Sequence, residues 1–307
     1  MRTPIVVLIA WAAASLARAS GGGSSGAELL RVAMGARPAA LGENFTGLAD
    51  DVTAAAWNPA GLARLKGIEL SAMHLNYLGD ASHEFLAAGM PLGAWGGVAL
   101  SGTYASVKPF DYTAAGSGLP PGSSSDLLAA VSWGASAGPM VPEEPWYRDL
   151  YVGVTAKFIR RTLGGDTDAL GNAKIFAATA GGLDLGALYQ WRKDLTAGLA
   201  VQNLGTGITF LGDERDPLPL AARLGVAWAV LDGPWVSAMV LGDVVKPVAS
   251  GGGTYEQGTW GGAGLEVRIA DVLSLRGGAR QGPDGFRAVG GAGIALAGIS
   301  LDIAYVP

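Results

Sequence analysis

The stretch LEVRIADVLSLR, residues 265–276, alternates apolar and polar side chains on either side of a short break. Every second residue of 265–269 and of 273–276 is Leu, Val or Ile, and the residues between them are polar or charged. Successive side chains of a strand point to opposite faces, so the pattern predicts two neighbouring strands with one apolar face. If that face meets lipid, Glu266, Arg268 and Arg276 lie on the lumen face, where opposite charges can pair across the ladder.

The same period of two recurs from Gly67 to the end of the chain. About 13 segments follow it, and most have a length near the roughly 9 to 11 residues that a tilted membrane strand requires. The pattern predicts an all-β fold, a transmembrane antiparallel β-barrel over 67–307. A soluble two-sheet sandwich is the alternative that alternation alone leaves open. The segments are 68–77, 84–92, 95–107, 127–137, 151–161, 174–190, 195–204, 220–230, 236–246, 259–269, 273–280, 286–296 and 299–305.

The connections between these segments differ in length. The segments 108–125, 139–150 and 206–219 are long enough to be outer loops, and alternate turns look shorter. Bacterial barrels have short periplasmic turns and longer extracellular loops, so this contrast favours the barrel.

Composition agrees with a barrel. The chain is 50% hydrophobic and 15% charged with a mean hydropathy of +0.31, yet no long apolar run follows the first segment. High apolarity without such runs means that the apolar residues are dispersed, as in alternating strands. The absence of cysteine excludes disulfides, thiolate metal sites and a lipid anchor on an N-terminal cysteine. A net charge of -5 makes nucleic acid an unsuitable partner.

The first residues have the features of a Sec signal peptide. Arg2 precedes an apolar stretch over 4–16, and Ala17-Arg18-Ala19 fits an A-x-A cleavage site, so we predict a signal peptide over 1–19 and an exported protein. A single-pass anchor is the alternative, but the apolar stretch is short of the roughly 20 residues that a spanning helix needs. Residues 20–27 have the Gly and Ser composition of a flexible linker.

Residues 28–66 lack the alternating period, and we expect two short helices there. Pro38 can occupy the first turn of a helix that continues to Phe45. Asp50 or Asp51 can cap a second helix over 52–57, and Asn58-Pro59 stops it, since the residue before a proline disfavours the α region.

This segment carries a resemblance to a known family. MGARPAALG (34–42), LADD (48–51) and WNPAGL (57–62) resemble the N-terminal signature of the PorV/PorQ family, which belongs to the wider FadL-like group. Further similar positions are 199–205, 218–220 with 224–225, 243–247, and 264–266 with 275, 276 and 278, so the resemblance spans about 30–306. It implies a barrel of about 13 to 14 strands in the FadL manner, with 28–66 folded inside as a plug.

The residues of the plug motif have two possible roles. In the first interpretation they are structural, and in the second they line a ligand site. Glycine allows close packing against the barrel wall, and Asn-Pro makes an abrupt turn. The aromatic residues could face the lumen. The motif comprises Gly35, Phe45, Asp50, Asp51, Trp57, Asn58, Pro59 and Gly61.

The sequence differs from the family pattern at its C-terminal end. Members continue past the element LDIAYVP (301–307) into one more strand, and barrels of this kind have even strand numbers. We therefore expect a C-terminally truncated barrel with an open seam beside its first strand.

The sequence offers no catalytic constellation, and no cofactor or metal is predicted. His74 and His83 flank the first hairpin and could approach each other with Asp80 or Glu84, but a polar hairpin tip explains them better. Ser123 to Ser125 have no histidine in register, and the acidic loops around Asp166 and Asp213 lack the spacing of a calcium site.

Three functions follow, none of them enzymatic. The first is passive transport or binding of hydrophobic molecules such as fatty acids across the bacterial outer membrane, whose lipid would surround the barrel. The second is an accessory barrel of the type IX secretion system, which binds secreted proteins at the cell surface. The third is a structural outer-membrane protein without transport.

Overall fold

The fold is that of a computed structural model, which describes residues 27–77, 81–110, 122–138, 149–167, 173–209, 215–248, 258–283 and 285–307. Thirteen strands form a single sheet within these residues, and each strand pairs antiparallel with the next one in the chain. The strands are β1 Glu69–Tyr77, β2 Ala81–Pro91, β3 Gly97–Phe110, β4 Gly122–Ser136, β5 Leu150–Thr167, β6 Ala173–Arg192, β7 Leu195–Gly205, β8 Ala221–Asp232, β9 Val236–Pro247, β10 Trp260–Ile269, β11 Leu273–Gly282, β12 Gly285–Leu296 and β13 Ile299–Tyr305.

The sheet curves around the N-terminal residues 28–66, which we call the plug segment. Its helix α1, Ala36–Ala40, packs against β11, β12 and β13, while the 3-10 helix Pro59–Arg64 packs against β2 to β6. One continuous segment therefore touches the first and the last strands of the sheet, which requires the sheet to close into a barrel-like wall. Within the described residues, β1 and β13 each have one neighbour.

The two faces of the wall follow the alternation that the sequence predicts. In β2, Phe85 and Ala87 are buried while Leu86 and Met90 are exposed. In β8, Arg223 is buried and Leu224, Val226 and Trp228 are exposed. Apolar side chains thus cover the outer face, whereas the inner face combines polar side chains such as Arg223 with apolar ones such as Phe85.

Strands β4 and β5 extend furthest beyond their predicted bounds. β4 starts at Gly122 instead of 127, and β5 ends at Thr167 instead of 161. The added residues include Ser123, Ser124, Gly164 and Thr167, which break the alternation of apolar residues that the prediction used. Backbone pairing continues through them because any residue with an extended backbone can join a ladder.

The prediction that 108–125, 139–150 and 206–219 are all outer loops is wrong for the second of them. Consecutive antiparallel strands turn at alternate ends, so the β4–β5 connection lies at the opposite end from the β3–β4 and β7–β8 connections. We call the end of β3–β4 and β7–β8 the loop end, and the other the turn end. At the turn end, β6–β7 and β12–β13 need only two residues each.

The helices of the plug segment are shorter than predicted. α1 ends at Ala40 instead of Phe45, because Gly42 and Glu43 have positive φ angles of 68° and 65° that no right-handed helix accepts. The second helix, α2, covers Ala54–Trp57, and the Asp51 side chain accepts a hydrogen bond from the Thr53 amide just before it. Asn58 has an extended backbone, as the Asn-Pro pair predicts, and a 3-10 helix follows it directly.

Tryptophan side chains surround the outside of the wall at the turn end. Tryptophan favours membrane interfaces, where its ring is buried in apolar surroundings and its N–H reaches a polar partner. Here the indole nitrogens of Trp133 and Trp228 donate to the Trp95 carbonyl and to the Asp194 carboxylate. Within the described residues, none of the helices has the length and apolarity to span a membrane. The set consists of Trp95, Trp133, Trp191, Trp228 and Trp235.

Candidate functional site

Glycines of the wall let the plug backbone lie directly against the strands. A Cβ atom on Gly153 would overlap the backbone of Pro59 and Ala60, and one on Gly198 would overlap the Thr46 carbonyl. Inside the plug, a Cβ on Gly61 would overlap the Ala49 carbonyl. These close approaches require glycine both in the wall and in the plug, because any side chain would overlap the neighbouring backbone.

Hydrogen bonds from wall side chains satisfy the carbonyl groups of the plug around α2. Gln202 donates to the carbonyls of Ala56 and Trp57 at 2.9 and 3.0 Å, and Thr155 donates to that of Ala55 at 3.2 Å. In the opposite direction, the side-chain amide of Asn58 donates to the carbonyl of Ala187 in β6 at 3.0 Å. Buried backbone groups without partners are costly, so these bonds fix the position of the segment in the barrel.

Asp243 of β9 holds the turn that follows α1. Its carboxylate accepts from the backbone amides of Phe45 and Thr46 at 3.3 and 3.1 Å, and its own amide donates to the Asn44 side chain at 3.0 Å. Asp243 is 2% exposed, and Arg223 approaches its carboxylate to 3.6 Å. The turn is thus held by reciprocal hydrogen bonds and one ion pair.

An ionic network joins the plug to the strands near the turn end. Arg37 binds Asp50 and Asp51 within the plug at 2.6 and 2.8 Å, and Glu266 of the wall at 2.8 Å. Glu266 is 2% exposed and also binds Arg268 and Arg276, at 2.7 Å each. A single wall carboxylate therefore receives three guanidinium groups, one of which belongs to the plug.

The network extends one step further, and Arg37 remains charged within it. Arg276 reaches Asp302 of β13 at 2.5 Å. Burial opposes the charge of Arg37, but the carboxylates of Asp50, Glu266 and Asp51 outweigh burial, so the pKa of Arg37 lies well above its ordinary value. Charged partners on both sides keep the plug attached to β10.

A cavity of about 550 Å³ lies between the plug segment and the wall. Its lining includes strand ends at the loop end, among them Ala221, Pro247 and Trp260, so the cavity lies on the loop side of the plug. One part of the lining is apolar, with Leu30, Val32, Met34, Phe85 and Leu128.

The other part of the cavity lining stacks aromatic rings on arginines. The Arg223 guanidinium carbon lies 4.8 Å from the Trp57 ring centroid and 5.4 Å from that of Trp260. Arg280 lies 5.4 Å from the Trp260 centroid and binds Glu43 of the plug at 2.6 Å. The cavity thus combines apolar walls with cations that already have carboxylate partners, a lining typical of sites for hydrophobic molecules with a small polar group.

The residues predicted for the plug motif fall into different parts of this arrangement. Asp50 and Asp51 belong to the ionic network, and Trp57 lines the cavity and donates to the Met34 carbonyl at 2.7 Å. Phe45 is fully buried 6.2 Å from Trp57, in an edge-to-face contact, and does not line the cavity. Gly35 has a φ of 94° and its amide lies 3.2 Å from the Met73 sulfur of β1. Asn58 and Pro59 lie against glycines of the wall, whereas Gly61 lies against the Ala49 carbonyl inside the plug.

The predicted lumen charges come together, with Glu266 opposite Arg276 in the register of β10 and β11. Sequence reasoning missed the residues that bind them to the plug. Arg37 stands inside the quoted motif, and Asp243 and Gln202 stand inside similar segments, but a charge in a motif does not reveal its partner. Arg223 and Trp260 carry no sequence pattern that separates them from other wall residues.

The two histidines of the first hairpin do not share a site. His74 is exposed and lies 2.7 Å from Glu84, whereas His83 is 7% exposed and neighbours Leu75 in the register. Neighbouring strand positions point to opposite faces, which separates the two rings. Among the described residues, no three His, Asp or Glu side chains gather as metal ligands would, and Asp80 lies outside these residues.

Solved structures share this architecture over most of the chain. The toluene transporter TbuX of Ralstonia pickettii superposes with a TM-score of 0.60 at 16% identity and covers 88% of this chain and 92% of its own. A FadL homologue of Pseudomonas aeruginosa gives a TM-score of 0.55 at 12% identity, covering 88% of each chain. The chain has the FadL-type barrel fold.

This finding confirms the predicted fold class, a transmembrane antiparallel barrel with a short helical N-terminal plug. The toluene transporter TodX of P. putida extends the similarity, with a TM-score of 0.56 at 12% identity over 88% of this chain and 91% of its own. The model of an uncharacterised protein family, UPF0164, matches residues 8–117, less than half of this FadL-type chain. A search of curated protein sequences finds no match.

Proposed function

We propose that this protein is an outer-membrane barrel that lets hydrophobic molecules pass or bind, without catalysing a reaction. The observation that carries the proposal is the cavity of about 550 Å³ between plug and wall, which has apolar walls and an aromatic, cationic side. The solved structures of this fold include two toluene transporters, which supports the same class of ligand.

The position of the cavity suits uptake from outside the cell. In bacterial barrels the longer connections are extracellular and the short turns are periplasmic. The cavity lies on the loop side of the plug, and the ionic network of Arg37 lies toward the turn end. A molecule that enters from the cell surface would therefore reach the cavity before it meets the plug.

The lining favours an apolar molecule with one polar or acidic group, of which a fatty acid is an example. Leu30, Phe85 and Leu128 can hold an apolar body without cost in hydrogen bonds. Arg280 can exchange its Glu43 carboxylate for the carboxylate of a ligand, since the two side chains are 23% and 20% exposed. Such an exchange conserves the ion pair and so makes binding reversible.

Uptake into liposomes tests the proposal. Ala130 faces the cavity, and Ala129 beside it faces outward, so Ala130→Trp should fill the cavity while Ala129→Trp should not. We expect liposomes with the parent or with Ala129→Trp to take up labelled fatty acid or toluene faster than empty liposomes, and Ala130→Trp to remove most of that gain. Equal uptake by parent and empty liposomes would contradict the proposal.

The PorV/PorQ resemblance supports a second hypothesis, a type IX secretion accessory that binds secreted proteins. This hypothesis is supported by the sequence motifs alone. The predictions of the signal peptide, of the linker and of the exact bounds of the plug also rest on the sequence alone. Co-purification of secreted proteins with the barrel from its own outer membrane would favour this role. A genome without the other secretion components would exclude it, and would leave the structural role as the remaining alternative to transport.

A further inference from the structure

The outer face of the wall has a groove of about 620 Å³ across β1 to β4. Three small outward-facing residues, Ala72, Ala88 and Gly102, form part of it. Leu86 and Leu100 are more than half exposed and border the same depression. The register pairs Leu86 with both Ala72 and Gly102, so small and large side chains alternate across neighbouring strands.

The wall beneath the groove is closed. β1 and β2 pair without a register shift from Glu69 to Tyr77, and β2 and β3 do so from Ala81 to Pro91. A molecule in the groove is therefore separated from the inner cavity by a continuous ladder. The groove needs an occupant of its own, because an apolar depression that faces lipid has no water to fill it.

Polar side chains border the groove on the side of the loop end only. His74, Glu84 and Tyr104 are cross-strand partners in one outward-facing row, and His74 binds Glu84 at 2.7 Å. The row continues through Leu127 to Arg160, which is exposed. Toward the turn end, the nearest tryptophans on the outer face are Trp133 and Trp95, whose side chain and carbonyl group, respectively, are joined by a hydrogen bond. The groove is thus apolar along most of its length and polar at one end, where the His74–Glu84 pair and Tyr104 line it, and Arg160 lies beyond Leu127 in the same row.

We propose that the groove binds one phospholipid-like molecule of the surrounding leaflet, with an acyl chain along Ala72, Ala88 and Gly102. Its phosphate-bearing headgroup lies beside Tyr104 and Arg160, away from the His74–Glu84 pair. There the Arg160 guanidinium supplies a fixed positive charge and the Tyr104 hydroxyl can donate a hydrogen bond. The inference rests on the proposed membrane location and is independent of transport through the lumen.

Filling the groove by substitution tests the inference. A Cβ on Gly102 would meet only the Leu128 carbonyl oxygen, at 3.4 Å, so Gly102→Leu fits the wall and places its side chain in the groove. Gly277 of β11 also faces outward and has nothing within 4 Å of a built Cβ, which makes Gly277→Leu the matched control. Both variants should keep the heat-modifiable migration of a folded barrel.

The measurement is native mass spectrometry of the full chain in detergent with added phosphatidylglycerol. We expect one retained lipid on the parent and on Gly277→Leu, and at least tenfold less retention on Gly102→Leu. Arg160→Gln should weaken retention and reduce its dependence on salt. Equal retention by the two leucine variants, or none by the parent, would overturn the inference. Ala130→Trp should retain the lipid whatever its effect on uptake, which separates this inference from the proposed transport.

Discussion

Replacing the shared carboxylate, Glu266→Gln, should loosen the plug from the wall. Removing one partner of a buried ion pair costs about 3–5 kcal/mol. The lower end applies here, because Arg37 keeps Asp50 and Asp51 and Arg276 keeps Asp302. Among the described residues Arg268 has no second carboxylate partner, and because its side chain is 37% exposed it can be hydrated. About 3 kcal/mol corresponds to roughly a hundredfold shift toward the detached plug.

Thiol labelling measures this shift, since the chain has no cysteine of its own. Ala40 is fully buried in α1, three residues from Arg37, so Ala40→Cys reports each detachment of the helix as reaction with a maleimide. Where detachment is fast and reversible, the labelling rate follows the detached fraction. We expect the rate to rise about a hundredfold when Glu266→Gln is added.

The control removes an ion pair that does not involve the plug. Asp194→Asn breaks the pair with Arg192, whose side chains are 54% and 41% exposed, and should leave the labelling rate within about threefold of the parent. Arg37→Met combined with Glu266→Gln should exceed neither single change by much, because both remove the same contact. A Glu266→Gln rate within threefold of the parent would refute the role of the network.

Three further predictions concern the plug and its surroundings. Gly153→Ala should hinder insertion of the plug by about 1–3 kcal/mol and increase its cleavage by added protease, whereas Gly181→Ala, with open space around the new methyl group, should not. Gln202→Leu leaves two plug carbonyls without their donor, at about 1–3 kcal/mol each, so the urea midpoint of the barrel should fall; an unchanged midpoint would contradict the role of Gln202, and the exposed Gln281→Leu serves as control. Arg280→Met should weaken the binding of fatty acid, measured by tryptophan fluorescence, but not that of toluene; an equal loss for both ligands would show that the arginine acts by packing instead of by charge.

The wall was the part of the fold that sequence could predict. Period-two alternation depends on burial of one face, which repeats along each strand, and the predicted segments match all thirteen strands. The long ends of β4 and β5 were not predicted, because backbone pairing does not require alternating side chains. The early end of α1 was not predicted from the sequence, because the positive φ angles at Gly42 and Glu43 arise from the contact of this turn with β9.

The candidate site was predictable only on the side of the plug. A motif identifies residues that are close in sequence, such as Asp50, Asp51 and Trp57. Their partners lie far along the chain, as Glu266 does from Arg37, with 229 positions between them. Such pairing is decided by how the barrel wall curves around the plug. The cavity lining is harder still to predict, since Arg223 and Trp260 become neighbours only because both pair with Val245 of β9, which places them in one row across three strands.

The glycine content of the chain follows from the same geometry. Turns alone do not require 49 glycines, and many of them stand inside strands, where glycine weakens pairing. Gly134, Gly153 and Gly198 occupy inward positions at which any side chain would overlap the plug backbone. A barrel that merely enclosed water would have no use for them. The wall therefore gives up strand stability at these positions to hold a peptide segment at backbone distance, while a cavity remains on the loop side of the plug. The proposed binding of hydrophobic molecules requires both features, since a tightly held plug blocks a direct path for water and the cavity provides the space for a ligand.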